Sequence, residues 1–153
     1  EGVTEDFEAR AETLLPALWC NHDGVLYPEV VGVLESLCAK GYRLGVISDT
    51  SPSLEYTLRQ LGVARYFTSF TASSLVGVGK PDPRIYNAAL RAQGATAGES
   101  LYVDDCEAEA EGARRLGFTA FHLDRSGRAE GRWTVTDLTQ LIRFVEESEN
   151  AGR

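Results

Sequence analysis

In the run VISDT, Ser48 closes an apolar stretch, and Asp49 and Thr50 follow it. A hydroxyl at the end of a buried strand, beside free backbone N–H groups, can hold a phosphoryl oxygen. The same composition, Ser48-Asp49-Thr50-Ser51, also starts helices, and that use competes. In GVGKPDP, Lys80 precedes Pro81, which keeps the residue before it extended and so directs its side chain. A fixed ammonium can neutralise a phosphate together with a carboxylate that attacks it, although a lone lysine is more commonly just solvated. In LYVDD, Asp104 and Asp105 stand together where another apolar run ends. Adjacent carboxylates repel unless a cation or hydrogen bonds compensate. A hard divalent ion such as Mg2+, held by one or two carboxylates with water and substrate phosphate, would compensate them. The alternative is that Asp104 or Asp105 caps a helix starting at Glu107.

These groups need elements to position them, and the apolar periodicity supplies candidates. Phe7, Ala11, Leu14, Leu15 and Leu18 recur at helical spacing over 3–20, with Thr4 as N-cap and Pro16 as an interruption. PEVVGVLESLCAKG predicts a helix over 29–40 that sets Val30, Val33, Leu34 and Leu37 inward and stops at Gly41. Cys38 lies among those residues and is expected to be a small core side chain. RLGVIS (43–48) is short, apolar and β-branched, as a buried parallel strand would be. Ser51-Pro52 opens a helix that Gly62 ends, and 66–72 forms a second strand. Asp82-Pro83 starts a helix with Ile85, Ala88, Ala89 and Leu90 inward, closed by Gly94. Then come a strand (100–105), a helix (107–117), a strand (118–123), a helix (137–147) on Leu138, Leu141, Ile142 and Val145, and a frayed tail. This alternation predicts an α/β domain with a mainly parallel sheet. In such sheets ligands collect beyond the carboxyl ends of the strands, where Ser48, Asp104 and Asp105 fall.

With 153 residues, the chain is long enough for one domain with a substantial core, and 43% apolar and 25% charged residues are globular values. A net charge of −8 disfavours nucleic acid and anionic membrane as partners, since no basic stripe is present. No apolar run approaches the roughly 20 residues that span a bilayer, and no signal-peptide pattern is visible. Cys20, Cys38 and Cys106 are odd in number and lack CxxC spacing. That disfavours a disulfide framework or a zinc site and suits a cytoplasmic setting. The sequence leaves the oligomeric state open.

Taken together, the three runs make the chain resemble the haloacid dehalogenase-like hydrolase superfamily, most closely its phosphatase-type members with an early helical cap. YPEVVGVLESLCAKGYRLGVISDT resembles the family's second-motif region, GVGKPDPRIYNAAL its third and LYVDDCEAEAEGARRLGF its fourth, in order over 27–123. The resemblance implies a Rossmann-like three-layer α/β/α core over 28–153 and a cap remnant with its hinge over 1–27. It implies that Ser48 binds the transferring phosphoryl group, with Asp49 and Thr50 beside it, and that Lys80 stabilises it along with the nucleophile. Asp105 would ligate Mg2+, with Asp104 ligating it or acting through water, and the substrate would be a small phosphorylated metabolite. Two positions depart from the pattern: Glu109 stands where such members often carry Asn, and Asp49 where Asn commonly follows the Ser.

The family's chemistry also requires an Asp-x-Asp on the central strand, one Asp attacking phosphorus and the other acting as acid and base. No Asp-x-Asp occurs in these residues; the nearest likeness is NHDGVL at 21–26, with Asn21 in the nucleophile's place. If this were a decayed first motif, the chain would be an inactive phosphate- or partner-binding domain. The spacing favours the other reading. A helix follows Pro28 almost at once, so the usual helical turn and flap have no room. NHDGVL is then expected to be the tail of the cap, with the first motif preceding Glu1, an expectation that the lack of any Met shares. Carbon–halogen cleavage on the same fold is the lesser alternative, because a haloacid needs no Mg2+ and the acidic pair suits one.

Overall fold

The structure, a computed structural model, describes residues 24–151. The expected helix over 3–20, its Thr4 cap, NHD of the NHDGVL run and most of the 1–27 unit lie outside the described residues. Residues 24–27 have no regular structure and lead into the first described helix, α1 (Val30–Ala39). Their path is anchored from the far side of the chain. The Arg125 guanidinium stacks 3.6 Å from the centroid of the Tyr27 ring and pairs with Glu29 at 2.6 Å.

From α1 the chain alternates as the periodicity predicts. It runs through β1 (Leu44–Ser48), α2 (Leu54–Gln60), β2 (Phe67–Ala72), a single turn α3 (Ser73–Val76) and α4 (Pro83–Gln93). It continues through β3 (Leu101–Asp104), α5 (Glu107–Arg115), β4 (Thr119–Leu123), β5 (Thr134–Val135) and α6 (Thr139–Ala151). The start of α4 follows the sequence signal closely: Pro83 occupies the first turn and the Asp82 carboxylate accepts the Arg84 N–H at 2.9 Å. Gly94, at φ 59°, supplies the left-handed residue that ends it. The helix expected from Ser51-Pro52 begins only at Leu54. Ser51 and Ser53 hydrogen-bond each other through their hydroxyls at 2.6 Å rather than capping it. The last helix is longer than its apolar stripe, and β5 is too short for an alternation to show.

Among the described residues all strand pairs are parallel, as expected, but they fall into two sheets: β1 with β2, and β3–β4–β5. Helices cover both faces, giving three layers. On one face α4 and α5 bury Ile85, Tyr86 and Ala113 against Ala120 and Phe118, with Ile47 and Tyr102 packed alongside. On the other, Leu141 of α6 meets Phe121 and Val135, and α1 packs against α6. Ile85 and Tyr86 have no exposed surface, and each such side chain contributes about 1.5–3 kcal/mol by burial. One core expectation fails. Cys38 is exposed, with Sγ 3.7 Å from the Tyr66 carbonyl. Val33 and Leu34 take the buried face of α1, and Cys38 falls on the flank that meets the 64–66 turn. Among the described residues no helix is long and apolar enough to cross a membrane.

Candidate active site

The carboxyl ends of β1 and β3 are brought side by side by one residue, Lys80. It lies in the loop between α3 and α4, where its peptide bond to Pro81 is cis. Its backbone N–H donates to both carboxylate oxygens of Asp49, at 3.0 and 3.1 Å, just beyond β1. Its Nζ donates to Asp104 at the end of β3, at 2.7 Å, and pairs with Glu109 of α5 at 2.6 Å. A side chain at Gly79 would meet the Asp49 oxygens at 3.1 Å, so the loop's close approach to Asp49 needs a residue that small.

This ammonium is largely out of water. The side chains of Lys80 and Asp104 are 10% and 6% exposed, and that of Glu109 is 19% exposed. Burial by itself would pull Lys80 down. The Asp104 and Glu109 carboxylates outweigh it and hold the ammonium above its ordinary pKa. Burial likewise opposes ionisation of Asp104. Lys80, the Tyr102 hydroxyl and the Cys106 N–H, which donates to Asp104 Oδ1 at 2.9 Å, nonetheless hold it below the usual carboxylate range. Glu109 goes the other way: burial and the Asp104 charge push it up despite Lys80. The two carboxylates sharing Lys80 are therefore shifted in opposite directions, Asp104 down and Glu109 up.

The structure brings together Lys80, Asp104 and Asp49, three of the residues singled out in the sequence. Ser48 closes β1 opposite Ala72 and is half-buried, and Thr50 turns its carbonyl toward the N–H of Ser74. Asp105 is not brought in; it is exposed, with no hydrogen-bond or ion-pair partner among the described residues. Of the acidic pair, only Asp104, the last residue of β3, meets the cluster; Asp105 lies in the bend that follows. Glu109 takes a place there that the sequence marked only as a departure. Tyr102, which donates its hydroxyl to Asp104 Oδ2, was not anticipated. Its signal was present, since it precedes Asp104 by two residues on a strand and so shares its face. Tyr86 donates to the Glu109 carbonyl at 2.8 Å, and burial, then the Glu109 charge, pushes its phenol up to about 12.

Asp104 and Glu109 converge from two elements. Among the described residues no group of three or more His, Cys, Asp or Glu side chains is placed to hold a metal ion. This donor set fits a hard divalent ion carried by one or two carboxylates and completed by water and phosphate, as Mg2+ commonly is, rather than a closed protein cage.

The sequence signature of the haloacid dehalogenase-like hydrolases matches residues 1–117. The chain is 32% identical over 117 residues to phosphatase MT3486 of Mycobacterium tuberculosis, covering 75% of this chain and 54% of that one. It is 35% identical over 115 residues to the phosphoserine phosphatase of Thermus thermophilus, covering 74% and 46%. (S)-2-haloacid dehalogenases also match, at 28–30% identity. The fold superposes on the HAD phosphatase from Thermococcus onnurineus with a TM-score of 0.74 at 26% identity, over 78% of this chain and 58% of that one. The chain thus spans about half the length of the curated relatives it matches. With that signature over three quarters of the chain, and with the Lys80 cluster at its strand ends, the chain belongs to the haloacid dehalogenase-like hydrolases.

Proposed function

We propose that this chain is the larger part of a core that hydrolyses phosphomonoesters of small metabolites with Mg2+ and a phosphoaspartyl intermediate, the attacking aspartate lying outside these 153 residues. The observation that carries the reading is Lys80, a buried ammonium fixed from three sides between the ends of β1 and β3. Its position is set before any substrate arrives, so neutralising an incoming phosphate needs little reorganisation. Lys80 Nζ would face the phosphoryl oxygens and the attacking carboxylate, while Ser48 Oγ would donate to a phosphoryl oxygen from the end of β1. Asp104, ionised at neutral pH, and Glu109 would hold Mg2+, and Asp105 would act on it only through water. When bound, the ion would offset the negative charge of the phosphate and of the carboxylates around it. Phosphatase relatives support the choice of substrate class.

The test is hydrolysis of p-nitrophenyl phosphate by the intact polypeptide containing these residues, with Mg2+ and with EDTA. Turnover that depends on Mg2+ and falls at least a hundredfold in Lys80→Ala is expected. No turnover, or turnover that Lys80→Ala leaves intact, would sink the proposal. The dehalogenase relatives favour a second reading on the same site, carbon–halogen cleavage. Halide release from a 2-haloacid in the presence of EDTA would decide for it.

A further inference from the structure

Lys80 is held at both ends. Its Nζ is drawn to Asp104 and Glu109, and its backbone N–H is held by the Asp49 carboxylate at 3.0 and 3.1 Å. The loop that carries it leaves α3 through Gly77, at φ 83°, and has a second glycine at 79, so its backbone is free to turn on both sides of Val78. Val78 packs against the core and fixes the base of the loop. Two further backbone bonds are local: the Gly77 N–H donates to the Ser73 carbonyl at 2.8 Å, and the Asp82 N–H to the Gly79 carbonyl at 3.0 Å. Asp49 ties the backbone of Lys80 itself to the end of β1.

Two other uses of Asp49 fit less well. It does not cap α2, which begins at Leu54 behind Ser53 with no side-chain cap bond. Nor does a carboxylate suit a phosphoryl oxygen, since it only accepts hydrogen bonds and carries the same sign of charge. Both Asp49 oxygens instead turn to one N–H, and a Cβ at Gly79 would stand 3.1 Å from each of them. Asp49 also follows Ser48 directly. Its bond to Lys80 therefore links the hydroxyl at the end of β1 to the ammonium, so that the two keep one mutual placement.

We infer that Asp49 is a positioning residue whose acceptor oxygens, rather than its charge, set the place of Lys80 Nζ relative to the end of β1. With its backbone released, Lys80 follows Asp104 and Glu109 wherever the loop allows, and its separation from Ser48 is no longer fixed. The inference rests on the proposed function only for its effect on turnover; the shielding of Lys80 does not depend on it.

Lys40 and Lys80 are the two lysines of these 153 residues, which gives the test an internal reference. In the intact polypeptide containing them, acylation by acetic anhydride is read at each by peptide mass spectrometry. Lys80, 10% exposed, should react more slowly than Lys40, 27% exposed. Asp49→Ala should raise the rate at Lys80 relative to Lys40 about tenfold or more, as loss of a hydrogen bond to a charged acceptor implies. Two conservative variants separate position from charge. Asp49→Asn keeps an acceptor oxygen in place without the charge, and should restore the rate to within about threefold of wild type. Asp49→Glu keeps the charge but moves it out by one methylene, and should resemble Asp49→Ala. The same order is expected in kcat for p-nitrophenyl phosphate, with KM little changed. Equal acylation of Lys80 in wild type and Asp49→Ala overturns the role, and so does an Asp49→Asn variant that reacts as fast as Asp49→Glu. An active enzyme whose kcat survives Asp49→Ala overturns it too. Acylation in the expected order without turnover in any form, wild type included, would count against the proposed function and leave the positioning role standing.

Discussion

Replacing Tyr102 by Phe deletes one hydroxyl and leaves the ring packing in place. The ring meets Tyr86 and Phe118 edge-on or tilted at centroid separations of 5.5 and 6.1 Å, contacts that Phe keeps. Lost is the donor to Asp104, a carboxylate whose side chain is 6% exposed and whose other partners are Lys80 and the Cys106 N–H. Hydrogen bonds to charged groups contribute about 1.5–3 kcal/mol, and since two partners remain, the lower end is expected. The pH dependence is the sharper test. Asp104 titrates below its ordinary 3.8 in the folded chain, so its contribution is present above that pH and is lost as pH falls through the folded value. Tyr102 is pushed far above its ordinary 10.0 by burial and then by Asp104, so its contribution is present below about pH 10 and is lost as pH rises past it. The stability difference between wild type and Tyr102→Phe should thus be flat from about pH 5 to pH 9 and shrink on both sides. Urea unfolding followed by circular dichroism across that range measures it. A difference under about 0.5 kcal/mol at neutral pH, or one that stays constant below about pH 3, would refute the account of Asp104 as a buried, donor-stabilised anion.

Lys80→Met leaves Asp104 and Glu109 facing each other without their shared cation, and should cost about 3–5 kcal/mol at neutral pH in the same unfolding assay. Glu109→Gln acts in the opposite direction. Glu109 is held above its ordinary 4.5 by burial and then by Asp104, so its favourable contribution is present below that pH and is lost as pH rises through the folded value. The Gln variant should therefore melt higher than wild type at about pH 7 and lose that advantage near pH 4; a lower melting temperature at neutral pH would contradict the assignment. Gly112→Ala sets propensity against packing. Ala gains about 1 kcal/mol in a helix interior, yet its Cβ would lie 2.7 Å from Pro81 Cβ and 3.3 Å from the Tyr86 hydroxyl, and overpacking costs about 1–3 kcal/mol. A net loss, seen as a lower melting temperature, is expected.

The elements were legible where a local signal coincides with its physical cause. α4 is the clearest case, because Asp82, Pro83 and Gly94 each satisfy a terminus requirement written in neighbouring residues. Cys38 and the late start of α2 were not legible. Each is decided by what lies across from it, the 64–66 turn in one case and a pair of serine hydroxyls in the other. At the site, the sequence pointed to residues that the fold places together, Lys80, Asp49 and Asp104, but not to how they are connected. Two adjacent acids look equivalent in sequence, but Asp104 ends the strand and Asp105 lies in the bend beyond it, and only Asp104 meets Lys80. Glu109 reaches the same ammonium from a helix, at a spacing that alternation along a strand does not reveal.

The lack of an Asp-x-Asp and the charge of the Lys80 cluster bear on each other. No Asp-x-Asp occurs in these 153 residues. Among the described residues no strand pairs with both β1 and β3, while Lys80 holds their carboxyl ends together. Among the described residues Lys80 stands between two carboxylates, Asp104 and Glu109. Asp104 and Glu109 then hold Lys80 in place, and a phosphate with its attacking aspartate would add further negative charge to a cluster already short of cations. That shortage is the electrostatic reason for a divalent ion in the proposed reaction.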